Sequence, residues 1–228
     1  MDSIAPVKTH SHTSMAELKA QTWTFVEKYM SQPSFDCSHD FNHVKRVYRL
    51  ALQIYETSEP LFKSRLNVEI IALLALLHDV GDKKYASSTS TPELETPPRG
   101  AVEEFLLSID APENLATHLQ KLVSNVSFSN EQKNRTSVLA LAAQYPELVV
   151  VQDADRIDAI GAIGIARVIT YGMIKKPEEG WKGIATHYGE KLGRLAAEMK
   201  TEVGRKIAEE RGERLRVFFE EWWNDEVG

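Results

Sequence analysis

One cysteine, Cys37, is all that the 228-residue chain contains, which excludes an internal disulfide and fits a reducing compartment. Its spacing recruits no base, so it reads as a small apolar residue rather than a nucleophile. An excess of basic residues is also missing. Lys and Arg number 27 against 33 Asp and Glu, and the formal charge of −6 has the wrong sign for a protein that tracks a nucleic-acid backbone. No stretch reaches the roughly 18 apolar residues of a membrane-spanning helix. The opening segment MDSIAPVKTHSHTSM has neither the basic start nor the apolar run of a secretory signal. Residues 1–13, His10 and His12 included, are expected to form a flexible tail. The chain is expected in the cytoplasm, with the nucleus also open.

Strand alternation is nearly absent, and helical periodicity takes its place. Hydrophobic residues at 43% and charged residues at 26% suffice for a buried core with a solvated surface. Ser14 and Glu17 form a capping-box pattern ahead of Leu18, Trp23, Phe25, Val26 and Tyr29. A second helix is expected from about Asp40 to Tyr55. A third, from about Leu66 to Asp79, is apolar nearly all round, the mark of a helix at the centre of a domain. The Ser/Thr/Pro-rich segment from Ser87 to Pro98 predicts a mobile loop at about 86–98.

Pro98 and Pro112 each open a further helix, followed by the polar stretch SFSNEQKNRTS. From Val149 to Tyr171 the run VVV looks strand-like, but the small and apolar residues beyond it suit a close-packed helix containing Gly161 and Gly164. Two amphipathic helices, about His187 to Met199 and Glu202 to Trp223, finish the chain. No internal repeat or composition break marks a second domain. The expectation is one all-α, single-domain helical bundle over residues 14–228.

Chemistry concentrates in three short words: SHDFNHVKRV, LALLHDVGDKKY and VVVQDADRID. His78 and Asp79 end the most apolar helix, where a carboxylate without a partner is strongly unfavourable, so Asp79 pairs with a cation or holds a metal. Successive helical residues point about 100° apart. One ion therefore reaches both only from the groove between them and needs ligands from other segments. His43 and Asp153 are the best suppliers. Imidazoles mixed with carboxylates suit Mn, Fe, Co, Ni or Zn, and less ideally Mg. Four protein ligands leave positions for water and substrate oxygens, the arrangement of a hydrolytic metal site. An HD dipeptide by itself is common, and a histidine at a helix end is usually a cap. The combination carries the reading.

The order H…HD…D, with the surrounding words VSNVSF, VQDADRIDAIGAIGIAR and KLGRLAAEMKTEVGRKIAEER, resembles the HD-domain metal-dependent phosphohydrolase superfamily in its small stand-alone branch, over about residues 25–222. The resemblance implies a compact helical bundle with one central divalent ion (Mn, Ni, Co, Fe, Zn or Mg) held by His43, His78, Asp79 and Asp153. It implies hydrolysis of phosphoesters or phosphoanhydrides, with nucleotides the usual substrates. For this branch, pyrophosphohydrolysis of (deoxy)nucleoside triphosphates is the specific expectation. The partner is then a small phosphorylated molecule, with no nucleic acid or membrane.

Further candidates surround the four ligands. Asp82, four residues after His78, shares its face if the helix continues and is placed to orient or deprotonate a water, or else pairs with Lys83 or Lys84. In the alarmone hydrolases of the superfamily a Glu-Asp pair follows HD at this offset. Here Lys83 follows Asp82, which argues against alarmone hydrolysis. His39 and Asp40 stand near His43, to hydrogen-bond a ligand imidazole or leaving group, with an N-cap role equally open for Asp40. Arg156 and Lys191 are the preferred phosphate-binding pair, ahead of Lys83, Lys84, Lys45 and Arg46. Asn125 and Ser127 offer polar groups or turn contacts. Asp155 and Asp158 are metal-near candidates for which salt bridges or helix-start roles suffice.

Dinuclear members of the superfamily, including di-iron oxygenases, insert extra histidines between HD and the final Asp. This chain has only His118 between Asp79 and Asp153, which favours one metal. The alternatives are a di-iron oxygenase and a non-catalytic nucleotide-sensing module.

Overall fold

The computed structural model describes residues 13–33, 35, 40–81 and 99–227. Among them no strand occurs. In chain order the α-helices are α1 (Met15–Tyr29), α2 (Phe41–Thr57), α3 (Pro60–Lys63), α4 (Val68–Leu77), α5 (Ala101–Ser108), α6 (Glu113–Val123), α7 (Phe128–Lys133) and α8 (Arg135–Gln144). They continue with α9 (Glu147–Asp158), α10 (Gly161–Lys175), α11 (Gly180–His187), α12 (Gly193–Leu195), α13 (Glu202–Arg216) and α14 (Asn224–Val227). The predicted all-α fold is the one observed. No single helix among the described residues is long and apolar enough to cross a membrane. Residues 1–12, the predicted loop at 86–98, Cys37, His39, Asp82, Lys83 and Lys84 lie outside the described residues. Thr13, the last residue of the expected tail, is tied in: its hydroxyl donates to Ile109 O at 2.9 Å.

The local signals act as the physics requires. Ser14 and Glu17 close a reciprocal capping box on α1. Asn67 caps α4 through its side-chain oxygen, which accepts from the Glu69 and Ile70 amides. Every residue from Ile71 to Leu77 is buried, so α4 is the central helix the sequence implies. It packs against α1, α2, α6 and α9, while α9 also packs against α2 and α13.

Four expectations change in detail. The VVV run is helical, within α9, because Leu148, Val150, Val151, Ala154 and Ile157 are all buried and a strand has no partner there. The long helix expected beyond it breaks by 72° between α9 and α10. Gly161 at the break has φ +74°, open to glycine and strained for other residues. The polar stretch SFSNEQKNRTS contains α7 and the start of α8, and it buries Phe128 and Glu131. Finally, the two C-terminal helices are interrupted: residues Tyr188–Leu192 and Val217–Trp223 are π-helical turns.

Candidate metal centre

Two buried imidazoles meet at the heart of the bundle. His43 stands in the first turn of α2 and His78 at the C-cap of α4, and their Nε2 atoms lie 3.1 Å apart. Asp79 Oδ2 is 3.4 Å from His43 Nε2 and 3.5 Å from His78 Nε2. Asp155, on α9, brings Oδ1 to 3.5 Å and 3.9 Å of the same two nitrogens. The carboxylates form the open side of this cluster: Asp79 is 17% and Asp155 27% exposed, against 1% for each imidazole.

Hydrogen bonds on the far side of each ring define which nitrogen holds a proton. His78 Nδ1 lies 2.8 Å from Ala75 O, which can only accept, so Nδ1 is the donor and Nε2 carries the lone pair. His43 Nδ1 likewise faces an acceptor, Asp158 Oδ2, at 2.7 Å. Two lone pairs directed at each other across 3.1 Å repel unless a cation or a shared proton lies between them. Neighbouring ligands of an octahedral ion, each at about 2.1 Å, stand about 3 Å apart. With two carboxylate oxygens beside the nitrogens, the donor set fits one borderline divalent metal.

Asp158 is the strongest electrostatic feature behind the cluster. Fully buried, it accepts from Arg46 Nε at 2.6 Å, Arg46 Nη2 at 3.0 Å and Arg167 Nη1 at 2.7 Å, besides His43. Burial alone raises a carboxyl group's pKa, yet the bonds from His43 and Arg46 and the charge of Arg167 hold Asp158 far below the carboxylate range. For His43, burial and the Arg167 charge act downward. The Asp158 and Asp79 carboxylates, which favour the protonated ring, outweigh them, and its pKa lies above the ordinary imidazole value.

Of the four predicted ligands the structure brings together His43, His78 and Asp79, and it puts Asp153 elsewhere. Asp153 is wholly buried with its carboxylate at the start of α13, where it accepts from Lys200 N at 3.0 Å, Thr201 N at 2.7 Å and Thr201 Oγ1 at 2.8 Å. A side chain at Gly204 would lie 2.5 Å from Asp153 Oδ2, so glycine there leaves room for this contact. Asp153 thus satisfies donors at a helix N-terminus, and burial raises its pKa against those bonds. Residues two apart on a helix point roughly 200° apart, so Asp153 and Asp155 face opposite ways. The fourth corner belongs to Asp155, with Asp158 three residues on along the same face. That i, i+3 pair was the available signal, but the phase of α9 relative to α2 decides which acid faces the imidazoles.

The predicted phosphate binder Arg156 is corrected as well. It is 1% exposed, and its guanidinium donates to Glu131 Oε2 at 2.6 Å and Glu198 O at 3.1 Å, above the Phe128 ring. Lys200 Nζ reaches the same Glu131 oxygen at 2.7 Å, so Arg156 belongs to a buried ionic knot joining α7, α9 and the α13 entry. Asp40 takes the capping alternative: Oδ1 accepts from His43 N and Oδ2 from Asn42 Nδ2. It supports His43 through the backbone rather than at a leaving group.

Asn125 serves the turn between α6 and α7. It donates to Lys121 O, accepts from Asn130, and offers its carbonyl to Gln152. Lys191 is half-buried in the π-helical turn after α11. His118 packs edge-on against Tyr145 with ring centroids 4.5 Å apart.

Comparison with known proteins identifies the family. The family model described as HD domain matches residues 40–160, the span from the cap of α2 to the end of α9 and its kink. The chain is 32% identical over 203 residues to the protein YpgQ of Bacillus subtilis, covering 86% of this chain and 89% of that one. The crystal structure of YpgQ in complex with ADP superposes with a TM-score of 0.65 at 26% identity, covering 95% of this chain and 98% of that one. An HD-superfamily hydrolase from Bacillus thuringiensis gives a TM-score of 0.61 at 27% identity, covering 93% and 98%.

Proposed function

The chain belongs to the HD-domain family, and from that premise we propose that it is a metal-dependent phosphohydrolase of nucleotides, with one divalent ion held by His43, His78, Asp79 and Asp155. The observation that carries this reading is the pair of imidazole Nε2 atoms 3.1 Å apart, flanked by two carboxylates. Such an ion, when bound, supplies a water of lowered pKa and polarises a phosphoryl oxygen. The nucleotide assignment is supported by the similar YpgQ, whose structure was solved with ADP. Within that class, release of pyrophosphate from a (deoxy)nucleoside triphosphate is the specific activity proposed.

The chain's own residues have separable tasks. Ala75 O and Asp158 fix the two imidazole tautomers, so that both present Nε2 toward the cluster. Arg46 and Arg167 keep Asp158 ionised, which strengthens its hold on His43 Nδ1–H. Asp79 and Asp155 present oxygens on the open side, where substrate enters. Asp82, just beyond the Gly81 turn, is proposed to orient the attacking water as a general base. Lys191 and Lys83 remain the proposed phosphate contacts.

The test is a screen of nucleoside mono-, di- and triphosphates with Mn²⁺, Ni²⁺, Co²⁺ and Mg²⁺, run beside Asp79→Ala and Asp155→Ala. The expected result is metal-dependent turnover of triphosphates to monophosphate and pyrophosphate, reduced at least about a thousandfold in both variants. Equal turnover by wild type and variants would refute the site.

A further inference from the structure

A cavity of about 370 Å³ opens on the outer side of Asp158, away from the paired Nε2 atoms. Four guanidinium groups line it: Arg46 and Arg49 from α2, Arg211 and Arg214 from α13. One carboxylate, Asp158, lines the cavity, and it is already engaged by Arg46, Arg167 and His43. Beyond the lining, Arg214 pairs with Glu210 and Arg211 donates to Ile157 O at 3.1 Å, which leaves the cations in excess. The cations crowd each other. Burial, with the charges of Arg214 and Arg46, pulls the pKa of Arg211 down despite Asp158 and Glu210 acting the other way. Like charges gathered around a concave space are unfavourable unless an anion relieves them.

The start of α10 adds to the same wall. Ile160, Ala162 and Ile163 line the cavity, and no side chain caps this fifteen-residue helix. Its first-turn amides and the positive end of its dipole therefore accompany the guanidinium groups. The arginines carry the argument, and the helix end reinforces it.

We propose that this cavity is a second ligand site, separate from the metal centre, which binds the polyphosphate moiety of a small molecule. Guanidinium groups match phosphate oxygens, and the donors of Arg49, Arg211 and Arg214 not already used, with the Arg46 charge beside them, suit a di- or triphosphate better than a single carboxylate. The His43 ring stands between cavity and cluster, with Nδ1 toward Asp158 and Nε2 toward His78. A ligand in the cavity therefore does not present its phosphorus to the metal ligands, and the site is not the substrate position of the hydrolase. Arg46 touches both the cavity and Asp158, which links occupancy to the hold on His43.

The experiment is isothermal titration of the full chain in EDTA with inorganic triphosphate and, separately, with ADP. Arg46 is left in place because it also supports Asp158. The double variant Arg49→Gln/Arg214→Gln alters two exposed side chains, and Asp79→Ala disables the metal centre. The site predicts one triphosphate per chain without metal, unchanged in Asp79→Ala and weakened about tenfold or more in the arginine variant. ADP binding with the same response to the arginine variant places a nucleotide's phosphates there. Triphosphate binding without ADP binding assigns the site to inorganic polyphosphate. No binding in EDTA, or binding lost in Asp79→Ala but unchanged in the arginine variant, overturns the proposal.

Discussion

Asp158 shows how one residue can govern a site it does not complete. It holds His43 Nδ1 at 2.7 Å and is itself fixed by Arg46 and Arg167. Replacing it by Asn removes the charge and one strong acceptor while keeping the shape. Asp158→Asn is expected to weaken divalent-metal affinity by about 10- to 100-fold with the helical content retained, measured by competition with a fluorescent chelator. The pair Asp153 and Asp155 separates structure from chemistry in the same way. Asp153→Ala strands the Lys200 and Thr201 donors in the interior, so a loss of about 2–3 kcal/mol in urea unfolding is expected. Asp155→Ala, partly exposed, is expected to leave stability within about 1 kcal/mol in metal-free buffer.

At the scale of elements, α2, α4 and α9 meet so that each contributes from its end or from the face turned inward. His43 and the His78-Asp79 pair were legible because a cap residue before one and an apolar run before the other mark where those helices begin and end. The fourth acid was not. Both Asp153 and Asp155 lie inside α9, and the choice between them depends on how α9 is rotated against α2 and α13, which is a tertiary quantity. Arg156 was misread for a related reason: its spacing from Asp153 did put it on a shared face, but that face turns toward Glu131 and the core.

The α9–α10 break is also an element-scale device. Gly161 at φ +74° turns the chain, and an added Cβ would come within 3.1 Å of Arg211 Cβ. Gly161→Ala is therefore expected to cost about 1–2 kcal/mol in chemical denaturation. An unchanged midpoint would show that the turn tolerates a side chain.

Across the whole molecule, the all-α class and the central place of α4 were readable from periodicity and from the helix that is apolar on every side. The buried ionic groups that join the outer helices were not. Glu131 reads as part of a polar stretch, yet it sits fully buried between Arg156 and Lys200, and those partners outweigh burial to hold its pKa below the usual value. Asp158 is depressed too. A group whose folded pKa is lowered contributes stability that is complete above its unfolded pKa and is lost as pH falls toward the folded value. With ordinary values of 4.5 for a glutamate and 3.8 for an aspartate, stability is expected to drop on acidification below about pH 4.5. Thermal melts in EDTA from pH 7 to 3 check this. Glu131→Gln is expected to flatten the acid limb while lowering stability at pH 7 by about 3 kcal/mol, since two cations lose their counter-charge.

The central claim is that His43, His78, Asp79 and Asp155 hold one metal ion while Asp153 holds the fold. Its most direct test is equilibrium dialysis against Mn²⁺ with metal counted per chain for wild type, Asp155→Asn and Asp153→Asn, each checked for helical content. The account predicts one tightly held ion per chain in wild type and Asp153→Asn, and at least about a hundredfold weaker binding in Asp155→Asn. Metal retained in Asp155→Asn and lost from a folded Asp153→Asn would contradict it.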